Sequence, residues 1–233
     1  MYLRKVLILV VGAVLLSATV YAQDTSLQLD KKNAFAIKLG YKWYGDSDVF
    51  NFWGLNNNNF DVFVTSLAYE RMLRPRIGLE VAWGFFRSNE VYRSGSDLTI
   101  TNWYISPTLK YYFPVGESFV FYGGAGVDYY NTEWDHIVNR PTFTYAYGHD
   151  RFNSLGLHGL GGVDWYFFKT PEKHGYYSAP VSLFFELQYT WLEIDEVDDR
   201  EIREINAQLG QSYQKHDLDL GGIMFFLGLR WHY

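Results

Sequence analysis

Seven charged residues, Lys38, Glu70, Glu80, Lys110, Asp164, Glu186 and Arg230, fall at similar depth in stretches of alternating character, on the face opposite the bulky apolar residues. Charges withdrawn from water must be paired and hydrogen-bonded, because an isolated buried one is costly. Three cations and four anions at one level therefore predict a salt-bridged network that fills the space they share. A wet interior would instead make the same groups a path for ions or small solutes. Hydrolysis would need a nucleophile, a base and an orienting acid within reach of one another. Asp150, Ser154 and His158 lie close enough along the chain to form such a triple. Spacing of this kind arises freely by chance, and membership of the polar network is the expected role of His158.

Other patterns carry less chemistry. Gly123-Gly124-Ala125-Gly126 and the glycines from Gly156 to Gly162 continue as extended chain into Asp128-Tyr129 and Asp164-Trp165. A phosphate loop requires a strand, a tight turn and then a helix, so the condition fails. These glycines are expected to make room for bulky neighbours such as Tyr104 and Tyr122. Residues 193–204 are rich in acids, and Asp198 with Glu201 resembles a capping box followed by Ile202, Ile205, Leu209 and a Gly210 stop. This predicts a short solvated helix, without the ligand spacing of a calcium loop. Phe50, Phe52, Trp53 and the run Asn56 to Asn59 offer either aromatics and amides for contact with a partner or rings that fold down into an outer aromatic belt. The chain has no cysteine, which excludes a disulfide scaffold, a thiolate metal site and a cysteine nucleophile. A net charge of −6 argues against nucleic acid as a partner. No residue set is assigned to catalysis, to a cofactor or to a metal.

The elements that must position these groups are strands. Arg4 and Lys5 precede an apolar run from Val6 to Leu16 and a small-residue site ending at Ala22. That is the form of a cleaved secretory signal peptide, residues 1–22, and the run is too short to span a bilayer as a helix. The expected domain is then 23–233. Within it Phe35, Ile37, Leu39, Tyr41 and Trp43 alternate with small or polar residues, and the pattern recurs from Ile77 and from Phe225. A period of two means β-structure. Eight such segments are expected near 34–45, 61–73, 77–87, 99–113, 119–131, 154–167, 181–192 and 217–233. Long connections (46–60, 88–98, 132–153, 193–216) alternate with shorter ones at 74–76, 114–118 and 168–180. In each segment the bulky residues share one face, and glycines and charges share the other. A soluble sandwich does not do this, whereas a lipid-facing exterior requires it. The expected fold class is all-β: one transmembrane antiparallel up-and-down barrel of eight strands.

Aromatic residues sort by height as two belts. Phe113, Phe119, Phe167, Trp231 and Tyr233 stand at the short-turn end, and Tyr41, Trp43, Trp83, Trp103, Tyr129, Tyr189 and Trp191 toward the long connections. Pro107, in mid-strand, predicts a bulge.

The eight segments and the closing FFLGLRWHY resemble the small outer-membrane barrels of the OmpA transmembrane-domain and OmpX type. The resemblance implies that Phe225, Leu227, Leu229, Trp231 and Tyr233 form the tail read by the barrel-assembly machinery. It also implies a monomer in the cell outer membrane, in contact with lipid and lipopolysaccharide. Outer-membrane deacylases use a His-x-Ser pair, which none of the six histidines supplies. The expected role is structural, or surface contact through four long loops. A small-solute channel is the alternative, and a lipid A-modifying enzyme stands behind it.

Overall fold

In the computed structural model, residues 32–44, 62–91, 97–116, 118–140, 143–171, 177–197 and 216–233 are described. Ten strands follow in order: β1 (Asn33–Tyr44), β2 (Val62–Arg74), β3 (Ile77–Val91), β4 (Asp97–Val115), β5 (Phe119–Arg140), β6 (Phe143–Pro171), β7 (Tyr177–Trp191), β8 (Glu193–Val197), β9 (His216–Asp219) and β10 (Gly222–His232). Eight of them close into an antiparallel barrel in the order β1-β10-β7-β6-β5-β4-β3-β2, and β8 pairs with β9 as a separate two-stranded ribbon. The seam is the β1–β10 ladder, from Ala34 opposite His232 to Tyr44 opposite Gly222.

Alternation explains why these residues form a closed sheet of this polarity. Leu39 is 50% exposed while its neighbour Lys38 is 3% exposed. Phe35, Ile37, Trp83, Leu109, Phe185 and Leu227 likewise point outward. An apolar surface running round the whole barrel far exceeds the patches a soluble monomer tolerates. Hydrocarbon solvates it instead, and closure satisfies every edge inside the bilayer.

Several strands are longer than expected from sequence at the end away from Asn33 and Tyr233. Residues 132–153, expected as a long loop, are mostly strand: β5 runs to Arg140 and β6 begins at Phe143. The outer face of this β5–β6 ribbon changes character at one level. Below it lie Tyr129 opposite Leu155; above it come Asn131 opposite Asn153, Glu133 opposite Arg151 and Asp135 opposite His149. Asn131 donates to Asn153 at 2.7 Å, Arg151 to Glu133 at 3.1 Å, and His149 Nδ1 lies 2.7 Å from Asp135. A strand that leaves the bilayer meets water on its outer face, so polar pairs replace the apolar stripe.

The Asp135 hydrogen bond raises the affinity of His149 for its proton. Because the folded-state value is raised, the pair's contribution is complete below the ordinary histidine range and is lost as pH rises through the raised value. An NMR titration should find His149 protonating at higher pH in the native protein than in Asp135→Asn. Equal midpoints would show that the pair does not form in solution.

Three further expectations change. Pro107 makes no bulge: β3 pairs straight through it, and the β4–β5 ladder lapses between Ile105 and Thr108 and resumes in the same register. The missing N–H costs local pairing but no extra residue. The last segment is not one strand from 217, since Leu220 and Gly221 separate β9 from β10. Both residues donate backbone N–H groups to Leu192 O, at 2.9 and 3.0 Å. Phe113 is buried rather than belted, with its ring 4.6 Å from Tyr111. The other belt residues named are exposed or half-exposed, and Trp83 stacks on Trp103 at 5.4 Å. The signal peptide, the aromatic and asparagine run at 50–59 and the expected helix from Asp198 to Gly210 lie outside the described residues.

Candidate functional site

Parity puts every second residue of each strand into the lumen, and the seven predicted charges meet there. Lys38 on β1 and Lys110 on β4 face Glu80 on β3 and Glu186 on β7. Lys38 Nζ lies 2.6 Å from Glu80 Oε1 and 2.8 Å from Glu186 Oε1. Lys110 Nζ lies 2.7 Å from Glu80 Oε2 and 2.8 Å from Glu186 Oε2. Each ammonium thus spans both carboxylates, and each of the four carboxylate oxygens takes one ammonium. The result is a square of alternating charge across the barrel.

Arg230, two residues nearer the chain end than Gly228 beside Lys38, extends the square. It lies 2.5 Å from Asp164 through Nη1 and 3.4 Å from Glu80 through Nη2, with Nε 3.7 Å from Glu70. Tyr112 donates its hydroxyl to Glu70, and Tyr122 donates to Glu186 at 3.1 Å. Aromatic faces complete the shell: the Arg230 guanidinium sits 4.9 Å from the Phe184 ring centre, and Lys110 4.8 Å from that of Tyr122. All seven charged side chains are buried. Small residues make the space, since a Cβ on Gly162 would overlap the Tyr122 ring and one on Gly84 would overlap Tyr104.

Toward the far end the lumen holds His158, expected in the polar network, and two polar groups that sequence reasoning did not place there, Lys42 and Asp128. Lys42 donates to Leu220 O at 2.6 Å and is boxed by Tyr44, Phe86 and Tyr130, with ring centres 4.9, 4.8 and 5.4 Å away. His158 has Nε2 2.9 Å from Thr108 Oγ1 and Nδ1 2.9 Å from Asp128 Oδ1. Lys42 is four residues from Lys38 on the same face, and Asp128 and His158 also have inward parity. Parity alone, without the requirement of equal depth, would have found Lys42 and Asp128. Around and beyond them Tyr44, Val62, Ile100, Trp134, Leu192 and Leu220 belong to one buried apolar cluster.

The triple Asp150, Ser154 and His158 is not assembled. His158 turns to Thr108 and Asp128, Ser154 Oγ has no hydrogen-bond partner among the described residues, and the side chain of Asp150 lies outside them. Asp128, His158 and Thr108 do stand in the order acid, imidazole, hydroxyl. All three are buried in the lumen wall. Among the described residues, no group of three or more His, Asp or Glu side chains is placed to hold a metal ion.

Phe225, Leu227, Leu229 and Trp231 occupy the outward positions of β10, and Tyr233 follows it, exposed. Its backbone exchanges hydrogen bonds with Asn33, at 2.8 and 3.2 Å, so the two ends of the described barrel meet.

This barrel, apolar outside and charged within, is matched over residues 8–221 by the family model described as outer membrane protein beta-barrel domain. The chain belongs to that family. Outer-membrane location follows from membership. Among solved structures, Neisserial surface protein A (NspA) is similar at 12% identity and a TM-score of 0.53, covering 86% of this chain and 96% of that one. A major outer membrane protein from Thermus thermophilus is similar at 12% identity and the same TM-score, covering 86% and 99%. Likeness at this identity establishes the shared fold alone. No curated protein sequence matches the chain.

Proposed function

We propose that this outer-membrane barrel is a closed, non-catalytic protein of the membrane, structural or engaged in surface contact through the connections at its far end. The carrying observation is the charge square of Lys38, Lys110, Glu80 and Glu186, tied to Arg230 and flanked by a buried apolar cluster. An eight-stranded barrel is only wide enough for side chains to fill. Here, among the described residues, they pair across it, which argues against a continuous aqueous path for a solute. With the interior occupied, lipid contact falls to the apolar exterior, and partner contact to the segments beyond the bilayer.

On the same reading residues 1–22 are the export signal, both ends of the barrel domain face the periplasm, and the outward residues of β10 with Tyr233 are recognised during assembly. The protein acts as a monomer among lipid and lipopolysaccharide.

Liposomes carrying the refolded barrel are expected to swell in small sugars no faster than empty ones. Swelling that rises with the amount of folded barrel would replace this reading with the small-solute channel, which the polar lumen would then serve.

A further inference from the structure

At the end of the lumen nearest Asn33 and Tyr233, Glu70, Met72, Tyr112, Tyr166 and His232 line a small cavity. Two buried polar atoms of its lining, Glu70 Oε2 and Tyr166 Oη, have no hydrogen-bond partner among the described residues. Arg230 Nε, outside that lining, is likewise buried without a hydrogen-bond partner among the described residues and lies 3.7 Å from Glu70 Oε2. That separation is too long for a direct hydrogen bond and suits one bridging oxygen. The other functional atoms of the same residues are engaged: Glu70 Oε1 accepts from Tyr112, and the two terminal guanidinium nitrogens of Arg230 face Asp164 and Glu80.

We infer that this cavity is a binding site for a single ordered water, held by Glu70 Oε2, Arg230 Nε and Tyr166 Oη. The chemistry selects water over a cation or an anion. One partner only accepts, one only donates and one does either, which matches the mixed valence of a water molecule. A metal ion would face the positive guanidinium, and an anion would face the carboxylate. The bound water joins Tyr166 to the charge network, so that β6 is tied to β2 and β10 at the barrel's near end. The inference goes beyond the closed-lumen reading and does not rest on it, because a barrel that conducted could carry the same site.

The test turns on a sign. A buried hydroxyl that lacks a partner penalises the folded state, so removing it leaves stability unchanged or improves it. A hydroxyl that holds a bound water contributes to stability, and its removal costs. Tyr166→Phe is therefore expected to lower the folding equilibrium constant about fivefold in urea titrations of the refolded protein. An unchanged or higher constant overturns the site. Crystallography of the unaltered protein gives a second reading that does not depend on the variant folding. A water peak within hydrogen-bond distance of Glu70 Oε2 and Tyr166 Oη is expected. A void there, or a Tyr166 hydroxyl bonded directly to protein, overturns it. Neither measurement involves conductance, so failure here and failure of the closed-lumen reading are separate results.

Discussion

Replacing Glu186 with alanine should lower the stability of the refolded barrel by about 3–5 kcal/mol, the usual cost of removing one partner from a buried ion pair. Glu186 takes Lys38 on one oxygen and Lys110 on the other, and accepts from the Tyr122 hydroxyl. Truncation leaves two buried ammonium groups sharing the single carboxylate of Glu80. The loss reports an uncompensated charge, not the net worth of the pair, and a second variant separates the two. Substituting all four members of the square, Lys38 and Lys110 with methionine and Glu80 and Glu186 with leucine, removes the charges together. Buried pairs replaced this way are often neutral or better. The expected loss for that variant is smaller than for Glu186→Ala alone, even though Arg230 loses its 3.4 Å contact with Glu80. Urea titration followed by heat-modifiable gel migration reads both. If Glu186→Ala unfolds where the native protein does, the square is not the arrangement that satisfies the two lysines.

Gly222→Ala is the second large effect. Gly222 opens β10 with φ of 136°, a backbone conformation that L side chains rarely adopt. A Cβ there would overlap the carbonyl oxygen of Trp43 and reach its carbonyl carbon and the Cα of Tyr44 at 3.0 Å, all backbone atoms of the facing strand. Tyr44 and Gly222 are the last pair of the seam that closes the barrel. The strained conformation alone costs about 1–3 kcal/mol, and the overlap adds to it because neither strand of a closed barrel can retreat freely. Gly116 is the control: its φ is 65° in the β4–β5 turn, and a Cβ there would touch nothing within 4 Å. Gly116→Ala should cost only the about 1–2 kcal/mol of the left-handed conformation. Equal losses at the two positions would mean that the seam does not run as described.

The barrel was legible because its alternation is written in residue size. Outward residues are bulky along most of each strand, as at Phe35, Ile37 and Leu39 or Leu227 and Leu229, although β5 and β6 also turn Gly123, Ala125, Gly159 and Gly161 outward. The same rule failed at 132–153. There the outer positions are Glu133, Asp135, His149, Arg151 and Asn153, and a strand passing through water loses the apolar stripe that identifies it. Phe113 misled in the opposite sense: its type and height suit a belt, but it packs beside Tyr111, and packing against a neighbour is not readable from height. Pro107 suggested a bulge because a missing N–H can be met by an extra residue. The barrel instead left the β5 side of that strand unpaired over two residues.

The site divides along the same line. That Lys38, Glu80, Lys110 and Glu186 share a face follows from parity. Which of them touch depends on strand tilt and stagger, which no local pattern records. Lys38 and Glu186 are 148 positions apart and meet only because the barrel closes. Lys42 and Asp128 were missed for a related reason. Depth was judged along each strand separately, whereas the lumen is filled in layers that cut across all eight.

The central claim is that the lumen is closed, and single-channel recording in a planar bilayer tests it most directly. Heat-modifiable migration shows beforehand that the inserted protein is folded. The account predicts a flat baseline from the folded native barrel at every holding potential that the bilayer survives. Discrete steps whose size or ion preference changes on Lys110→Ala or Arg230→Ala would contradict it and turn the same charges into the lining of a conducting path.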